Sequence, residues 1–579
     1  MNKNTWVDKM LGEMSVEQKV GQLLVLGLCG PIITPDVAEL IRKHHLGGLR
    51  ISQMMRAITL TNDIKPGEEP DACTMQSMHY PSGNNKDYAY VRSCVSSTAE
   101  EYAETLNNLR KMSLERDLGI PIHFTIDQEG SASDDILSGQ RLFPHPMGLV
   151  TTGDPELAYK VALSIGKQVR ALGVNMIHSP TLDVNTNPRN PEIGTRAYSC
   201  MTDDVTEYAL QTLKGFTESG LISTGKHFPG RGESEDDAHW GLPSVNLDLK
   251  TLSDVHIAPY KKLIDAGLPA IMIAHCCYPA LGITDKPAGM SKELLNDFLR
   301  GELGFNGVIT TDNMMMGGIL KKYEMSDAIV EMVVAGCDLV LCRDESPIRF
   351  KIIDKLIEAV KTKRLSEKRL DEAVGRVLGM RWDMGLIEEG GANVDASKAS
   401  EPTRDPFVLE TAKEAADKST VLMRDEENLL PLKKDAKVLL VEQIFPTHDR
   451  ANNMYCHPGM LWEEMCKLSD NVSSVEIPNI PDEKDRDRVR RRLHEADIIV
   501  TTNYYYHKVD AAISDLVREM KETGKPVIVV TNTPYEFGAP KDFGTVIVSF
   551  NPGGREHLNA AARMIYGELK SVGKLPEGI

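Results

Sequence analysis

Across 579 residues the chain has only ten cysteines, four tryptophans and 6% aromatic residues. Cysteines this sparse exclude a disulfide scaffold, and Cys29, Cys276, Cys337 and Cys342 lie in apolar runs where a reduced thiol packs as a small hydrophobe. Their spacing also misses the paired patterns of zinc sites, so no structural metal and no cofactor is expected. No apolar run approaches the ~20 residues that a membrane-spanning helix needs. Positive charge is in deficit as well: 66 Lys and Arg face 84 Asp and Glu, a net charge of -18, which argues against nucleic-acid binding by clustered cations. The opening residues MNKNTWVDKMLGEMS carry no basic patch leading into an apolar stretch, so no secretory signal is expected and the cytoplasm is the expected address.

What the sequence has in quantity is alternation. Short apolar runs begin at Leu23, Leu46, Ile120, Val174, Ser223, Pro269, Gly307 and Asp338, separated by amphipathic segments such as DPELAYKVALSIGKQVRALG that open on Ser, Thr or Asp in the N-cap position. Eight continuous apolar strands alternating with helices predict a parallel (β/α)8 barrel of the TIM type. Polar residues gather where such a barrel places its chemistry. Asp127, His178, Lys226, His227, His275, Asp312 and Arg343 each stand at or just past the carboxyl end of a predicted strand.

One connection is far longer than a usual βα loop. It runs over 53–95, and its Met, Tyr and Asn residues suit a wall or lid over a sugar site. After residue 389 the pattern changes. A stretch rich in Gly, Ala, Ser and Pro and the helix FVLETAKEAADKSTVLMRD fill 390–434, and 435–579 then alternate five apolar strands with helices, which predicts an open parallel α/β sandwich. That second unit has no phosphate-binding glycine loop, so a nucleotide site is not expected.

The motifs IDQEG at 126–130, SPTLDVNTNPRNPEIGTRAYS at 179–199, GKHFPGRGESEDDAH at 225–239 and GELGFNGVITTDNMMMGGI at 301–319 carry a resemblance. Together they make the chain similar to glycoside hydrolase family 3, most closely its bacterial β-N-acetylhexosaminidase branch, over nearly its whole length. The resemblance implies a retaining hydrolase that removes terminal β-linked N-acetylglucosamine through a covalent glycosyl-aspartate. It implies Asp312 as the nucleophile and His239, oriented by Asp237, as the general acid/base. A carboxylate two residues from an imidazole can accept from one ring nitrogen and fix the tautomer, leaving proton transfer to the other. Asp127, Arg196, Lys226 and His227 match the family's sugar-holding residues, with Asp183 and His178 near the same face. The expected partner is a small amino-sugar glycoside, a muropeptide or a chitooligosaccharide, with no nucleic acid and no membrane.

Alternatives stay open at this point. A histidine acid/base tolerates an incoming phosphate better than a carboxylate does, so a β-N-acetylglucosaminide phosphorylase using inorganic phosphate is one. A β-glucosidase or β-xylosidase of the same family is another, and an inactive sugar-binding protein is a third of a different class. Three departures bear on the substrate. Asp134 and Asp135 occupy a region that is usually cationic, with Arg141 as the candidate replacement cation; Arg231 stands where the family has a histidine; and the 53–95 connection is unusual.

Overall fold

The computed structural model describes residues 2–52, 97–136, 139–343, 345, 347–387, 393–444, 459–478, 480–505 and 511–579. All eight predicted barrel strands form: β1 (Leu24–Cys29), β2 (Gly48–Ser52), β3 (His123–Ile126), β4 (Met176–Ile177), β5 (Ile222–Phe228), β6 (Ala270–Ile273), β7 (Val308–Thr311) and β8 (Val340–Cys342). They pair in parallel in the order β7-β6-β5-β4-β3-β2-β1-β8, and a parallel bridge between Thr310 and Leu339 closes the ring.

The strands read as continuous apolar runs because both faces are covered. In β1, Leu24, Leu26 and Leu28 face outward to the helices, while Val25 faces the interior with Met176, Ile222, Met272 and Val308. Val377, Met380 and Met384, from and just after the helix Glu367–Asp383, join that inner cluster. Each fully buried side chain of this size contributes about 1.5–3 kcal/mol, so the barrel interior is filled with a core and leaves the carboxyl-end loops to the polar residues.

The second sheet contains the five predicted strands, β10 (Val438–Ile444), β11 (Val472–Pro478), β12 (Ile498–Asn503), β13 (Val527–Thr531) and β14 (Thr545–Val548), and one more. The segment read as a single helix to Asp425 ends its helix at Ser419, and its tail forms β9 (Val421–Asp425), antiparallel to β14 at the sheet edge. Thr420, the residue that caps the helix, is already extended, and its β-branched side chain and that of Val421 suit the strand that follows. The strand order is β11-β10-β12-β13-β14-β9, a parallel α/β sandwich with one antiparallel edge.

The carboxyl ends of β12 and β13 meet the barrel. Tyr505 donates its hydroxyl hydrogen to the Pro191 carbonyl, and Asn185 donates to the Tyr535 hydroxyl at 2.6 Å. Asn551 donates to the Phe143 carbonyl at 2.8 Å, and Arg141 pairs with Glu556 at 2.8 Å.

Candidate active site

Elements far apart in the sequence bring their polar ends to one mouth. Asp312 follows β7, buried except for 11% of its side chain. Its Oδ1 accepts the Asn313 backbone N–H at 2.7 Å, while Oδ2 lies 3.4 Å from Arg231 Nη1 and 3.9 Å from His227 Nε2. Burial opposes the charge of this carboxyl. Arg231, His275 and the Asn313 N–H outweigh that opposition and hold it below its ordinary value, so Asp312 is an ionised carboxylate at neutral pH.

His239 sits on the loop that follows β5, as the Asp-x-His spacing predicts. Asp237 Oδ1 accepts both the His239 backbone N–H at 2.8 Å and its ring Nδ1–H at 2.6 Å. The ring orientation is thereby fixed, and proton exchange falls to Nε2. Burial pushes this imidazole down, but Asp237 and Glu192 more than compensate and raise it above the ordinary histidine value. A proton is therefore held there for donation near neutrality.

The loop bearing His239 is docked on the segment that bears Asp312. The N–H groups of Gly317 and Gly318 donate to the carbonyls of His239 and Ala238 at 3.0 and 2.9 Å. A Cβ at Gly317 would lie 2.5 Å from the His239 oxygen, so only glycine permits this approach. The GGI of the TTDNMMMGGI motif is thus a seat for the loop carrying His239.

Three of the four residues expected to hold sugar, Asp127, Arg196 and Lys226, form one charge cluster with Glu129. Lys226 contacts Asp127 at 2.9 Å and Glu129 at 2.5 Å, and Arg196 grips Glu129 with two bonds of 2.9 Å. Burial opposes the charge of Glu129, yet Arg196 and Lys226 hold its carboxyl down at about 2. Asp127, also paired with Arg50, keeps 27% of its side chain exposed and is the member with surface for a ligand hydroxyl. His227 is fully engaged: Nδ1 bonds Asp183 at 2.7 Å and Nε2 accepts from Arg231 at 2.8 Å. Because a guanidinium only donates, His227 carries its hydrogen on Nδ1. His178 lies 3.4 Å from Asp127 with its imidazole pushed by burial to about 4, and His275, beside Asp312, is likewise pushed to about 4.

The region of Asp134 and Asp135 has its cations, from other elements than expected. Arg50 of β2 bonds Asp135 directly, and Arg343 after β8 lies 3.4 Å from it. Arg141 does not take that place, because it turns away toward Glu556. Asp134 accepts the Gly130 N–H at 2.7 Å, and burial raises its carboxyl well above the ordinary range. The 53–95 connection, expected to wall the site, lies outside the described residues.

Glu192 had no role in the sequence reading. It is buried beside His239, and its Oε2 accepts the Ala238 N–H at 3.1 Å. The available signal was its place in EIGTRAYS, four residues before Arg196. Glu192, Asp237 and His239 offer three ligand atoms within 4.8 Å of one another, the spacing of a divalent-cation site. The Arg231 guanidinium, 2.8 Å from Glu192, already supplies positive charge there and would repel a second cation.

A closed parallel barrel with an ionised strand-end carboxylate and a carboxylate-oriented imidazole at its mouth defines an enzyme equipped for nucleophilic and general acid/base chemistry. The family model for the glycosyl hydrolase family 3 N-terminal domain matches residues 15–380. A β-hexosaminidase A of Pseudoalteromonas piscicida is 31% identical over 453 residues, covering 74% of this chain and 73% of that protein. A β-N-acetylglucosaminidase/β-glucosidase of Cellulomonas fimi is 29% identical over 448 residues, covering 74% and 68%. Among solved structures, a family 3 β-N-acetylglucosaminidase from Paenibacillus sp. str. FPU-7 superposes with a TM-score of 0.80 at 27% identity, covering 97% of this chain and 98% of that one. The chain belongs to glycosyl hydrolase family 3 and is a glycoside hydrolase.

Proposed function

We propose that this glycoside hydrolase is a retaining β-N-acetylglucosaminidase. In the first step Asp312 attacks the anomeric carbon, the bond to the aglycone oxygen breaks, and His239 gives that oxygen its Nε2 proton. In the second step His239 takes a proton from water, the water oxygen attacks the same carbon, and Asp312 is released as a carboxylate. Asp127 accepts from sugar hydroxyls. Lys226, Arg196 and His227 act mainly by holding Asp127, Glu129 and Asp183 in place.

The observation that carries this reading is the docking of the Asp237–His239 dyad, through Gly317 and Gly318, on the segment that presents Asp312. The names of the Pseudoalteromonas and Cellulomonas relatives support an N-acetylhexosaminide as substrate. Muropeptides and chitooligosaccharides are the physiological classes that present such an end. A cytoplasmic address is supported by Cys200, Cys276, Cys277, Cys337, Cys342 and Cys466, which are thiols rather than halves of disulfides. Among the described residues no helix is long and apolar enough to cross a membrane.

The test is a side-by-side assay of aryl β-N-acetylglucosaminide, β-glucoside and β-xyloside, with and without phosphate. Faster release from the N-acetylglucosaminide, with free sugar as product in both buffers, is expected. A preference for glucoside or xyloside would overturn the substrate assignment, and phosphate-dependent sugar 1-phosphate would replace hydrolysis with phosphorolysis.

A further inference from the structure

Arg231, the residue that departs from the family's histidine, lies where the two reacting groups meet. Its guanidinium is 2% exposed and has three neighbours. Nη1 lies 3.4 Å from Asp312 Oδ2, and Nη2 lies 2.8 Å from both Glu192 Oε1 and His227 Nε2. Glu192 continues the chain of contacts: Oε2 accepts the Ala238 N–H at 3.1 Å and Oε1 lies 3.4 Å from His239 Nδ1. One buried ion pair therefore touches the nucleophile on one side and the acid/base loop on the other.

The backbone around the pair is braced on both partners. Asp183 accepts the Arg231 N–H at 2.7 Å. Asn190 donates to the Arg231 carbonyl at 2.9 Å and accepts the Glu192 N–H at 3.0 Å. Charge explains why a cation is needed there. Asp312, Glu192 and Asp237 converge on this corner, where His227 and His275 beside Asp312 are pushed down by burial and His239 is the imidazole that is pushed up. Adjacent carboxylates resist ionising together, and a guanidinium between the first two removes that conflict. The charge count also stays level through the first chemical step. With Asp312, Glu192 and Asp237 ionised and Arg231 and His239 protonated, the five groups sum to about -1; once Asp312 is esterified and His239 has lost its proton, the sum is the same.

We propose that Arg231 and Glu192 are a positioning pair that fixes Asp312 and His239 relative to each other, so that an oriented nucleophile and a closed acid/base loop form one state. The pair acts through those two residues and rests on their assigned roles.

The experiment measures kcat/KM against pH for the full chain and for Arg231→Met, Arg231→Lys and Glu192→Gln, on whichever aryl glycoside the wild type cleaves fastest. Arg231→Met is expected to lose about 100-fold, the scale of an ~1 Å misplacement of reacting groups. Its acid limb should move to higher pH, because Asp312 then keeps His275, Lys226 and the Asn313 N–H as its stabilising neighbours. Glu192→Gln should move the alkaline limb to lower pH, because His239 keeps Asp237 but loses its second carboxylate, with Arg231 still nearby. Arg231→Lys should restore the acid limb and part of the rate.

A folded Glu192→Gln with wild-type limbs and a rate within about twofold would overturn the pair, whether or not Arg231→Met folds. A wild-type preference for glucoside overturns the substrate reading alone, since the limbs are then read on the glucoside. Full activity in Asp312→Ala overturns the nucleophile assignment and the pair with it.

Discussion

Replacing Gly317 with alanine tests the docking of the acid/base loop most directly. The new Cβ would stand 2.5 Å from the His239 carbonyl oxygen and 3.0 Å from the Trp240 carbonyl carbon, both backbone atoms with no rotamer to give way. Reaching an ordinary 3.4 Å contact needs a displacement of ~0.9 Å. The 3.0 Å bond from the Gly317 N–H to the His239 carbonyl is strained or lost, about 1 kcal/mol, and the overpacking adds about 1–3 kcal/mol. A chain of this size tolerates that loss, so the variant should stay folded with a lower Tm. Its active site should not tolerate the movement, because an ~1 Å misplacement of a catalytic group costs about 100-fold. For an aryl glycoside with a poor leaving group we expect kcat to fall by that factor. For an activated dinitrophenyl leaving group, which departs without protonation, the fall should be under tenfold. Gly318→Ala is the graded comparison, since its Cβ would meet the Gly241 oxygen at 2.9 Å and should cost less. A folded Gly317→Ala enzyme with kcat within threefold of wild type on the poor leaving group would refute the reasoning. Equal losses on both substrates would instead mean that the Asp312 side had moved.

Other outcomes follow from the same geometry. Asp312→Ala should reduce turnover at least ~1,000-fold, and added azide should restore part of it with the α-glycosyl azide as product; a β-azide would contradict attack from the Asp312 face. His239→Ala should lose more rate as the leaving group worsens, and a flat dependence on leaving-group pKa would remove it as the acid. Asp237→Asn should move the alkaline limb of kcat/KM to lower pH, because burial alone lowers the His239 imidazole and Asp237 is the largest influence raising it. Glu129 has its folded value depressed from 4.5 to about 2, so its contribution to stability is present above 4.5 and is lost as pH falls toward 2. Glu129→Gln should lower Tm at pH 7 and flatten its fall between pH 5 and 2; an unchanged acid slope would argue against the Glu129, Arg196 and Lys226 cluster as a stability element.

The barrel was legible because its signal is local: eight apolar runs alternate with amphipathic segments, and six of the runs end within a few residues of Asp127, His178, Lys226 and His227, His275, Asp312 or Arg343. The Asp237 and His239 pair was legible for the same reason, being two positions apart. What escaped the sequence depends on contacts across the fold. Glu192 and Arg231 lie 39 positions apart, and nothing in either neighbourhood shows that their charges meet. Lys226 and Arg196 match sugar-holding residues, and which carboxylates they pair with, Asp127 and Glu129, depends on the fold. Arg50, in an apolar run, gave no sign of reaching Asp135 across the mouth. β9 was missed because the helical pattern before it continues in composition through Val421–Asp425, and only pairing with β14, 120 positions later, makes it a strand.

The bonds from Tyr505 to Pro191 and from Asn185 to Tyr535 span 314 and 350 positions. During synthesis the barrel strands leave the ribosome first and can close before β12 and β13 exist. The loop that carries Glu192 would then lack its outer support, and the acid/base loop that leans on Glu192 would lack its rest. Catalytic competence would therefore be acquired late, when the last third of the chain has emerged, and a nascent barrel would be folded without yet being an efficient hydrolase.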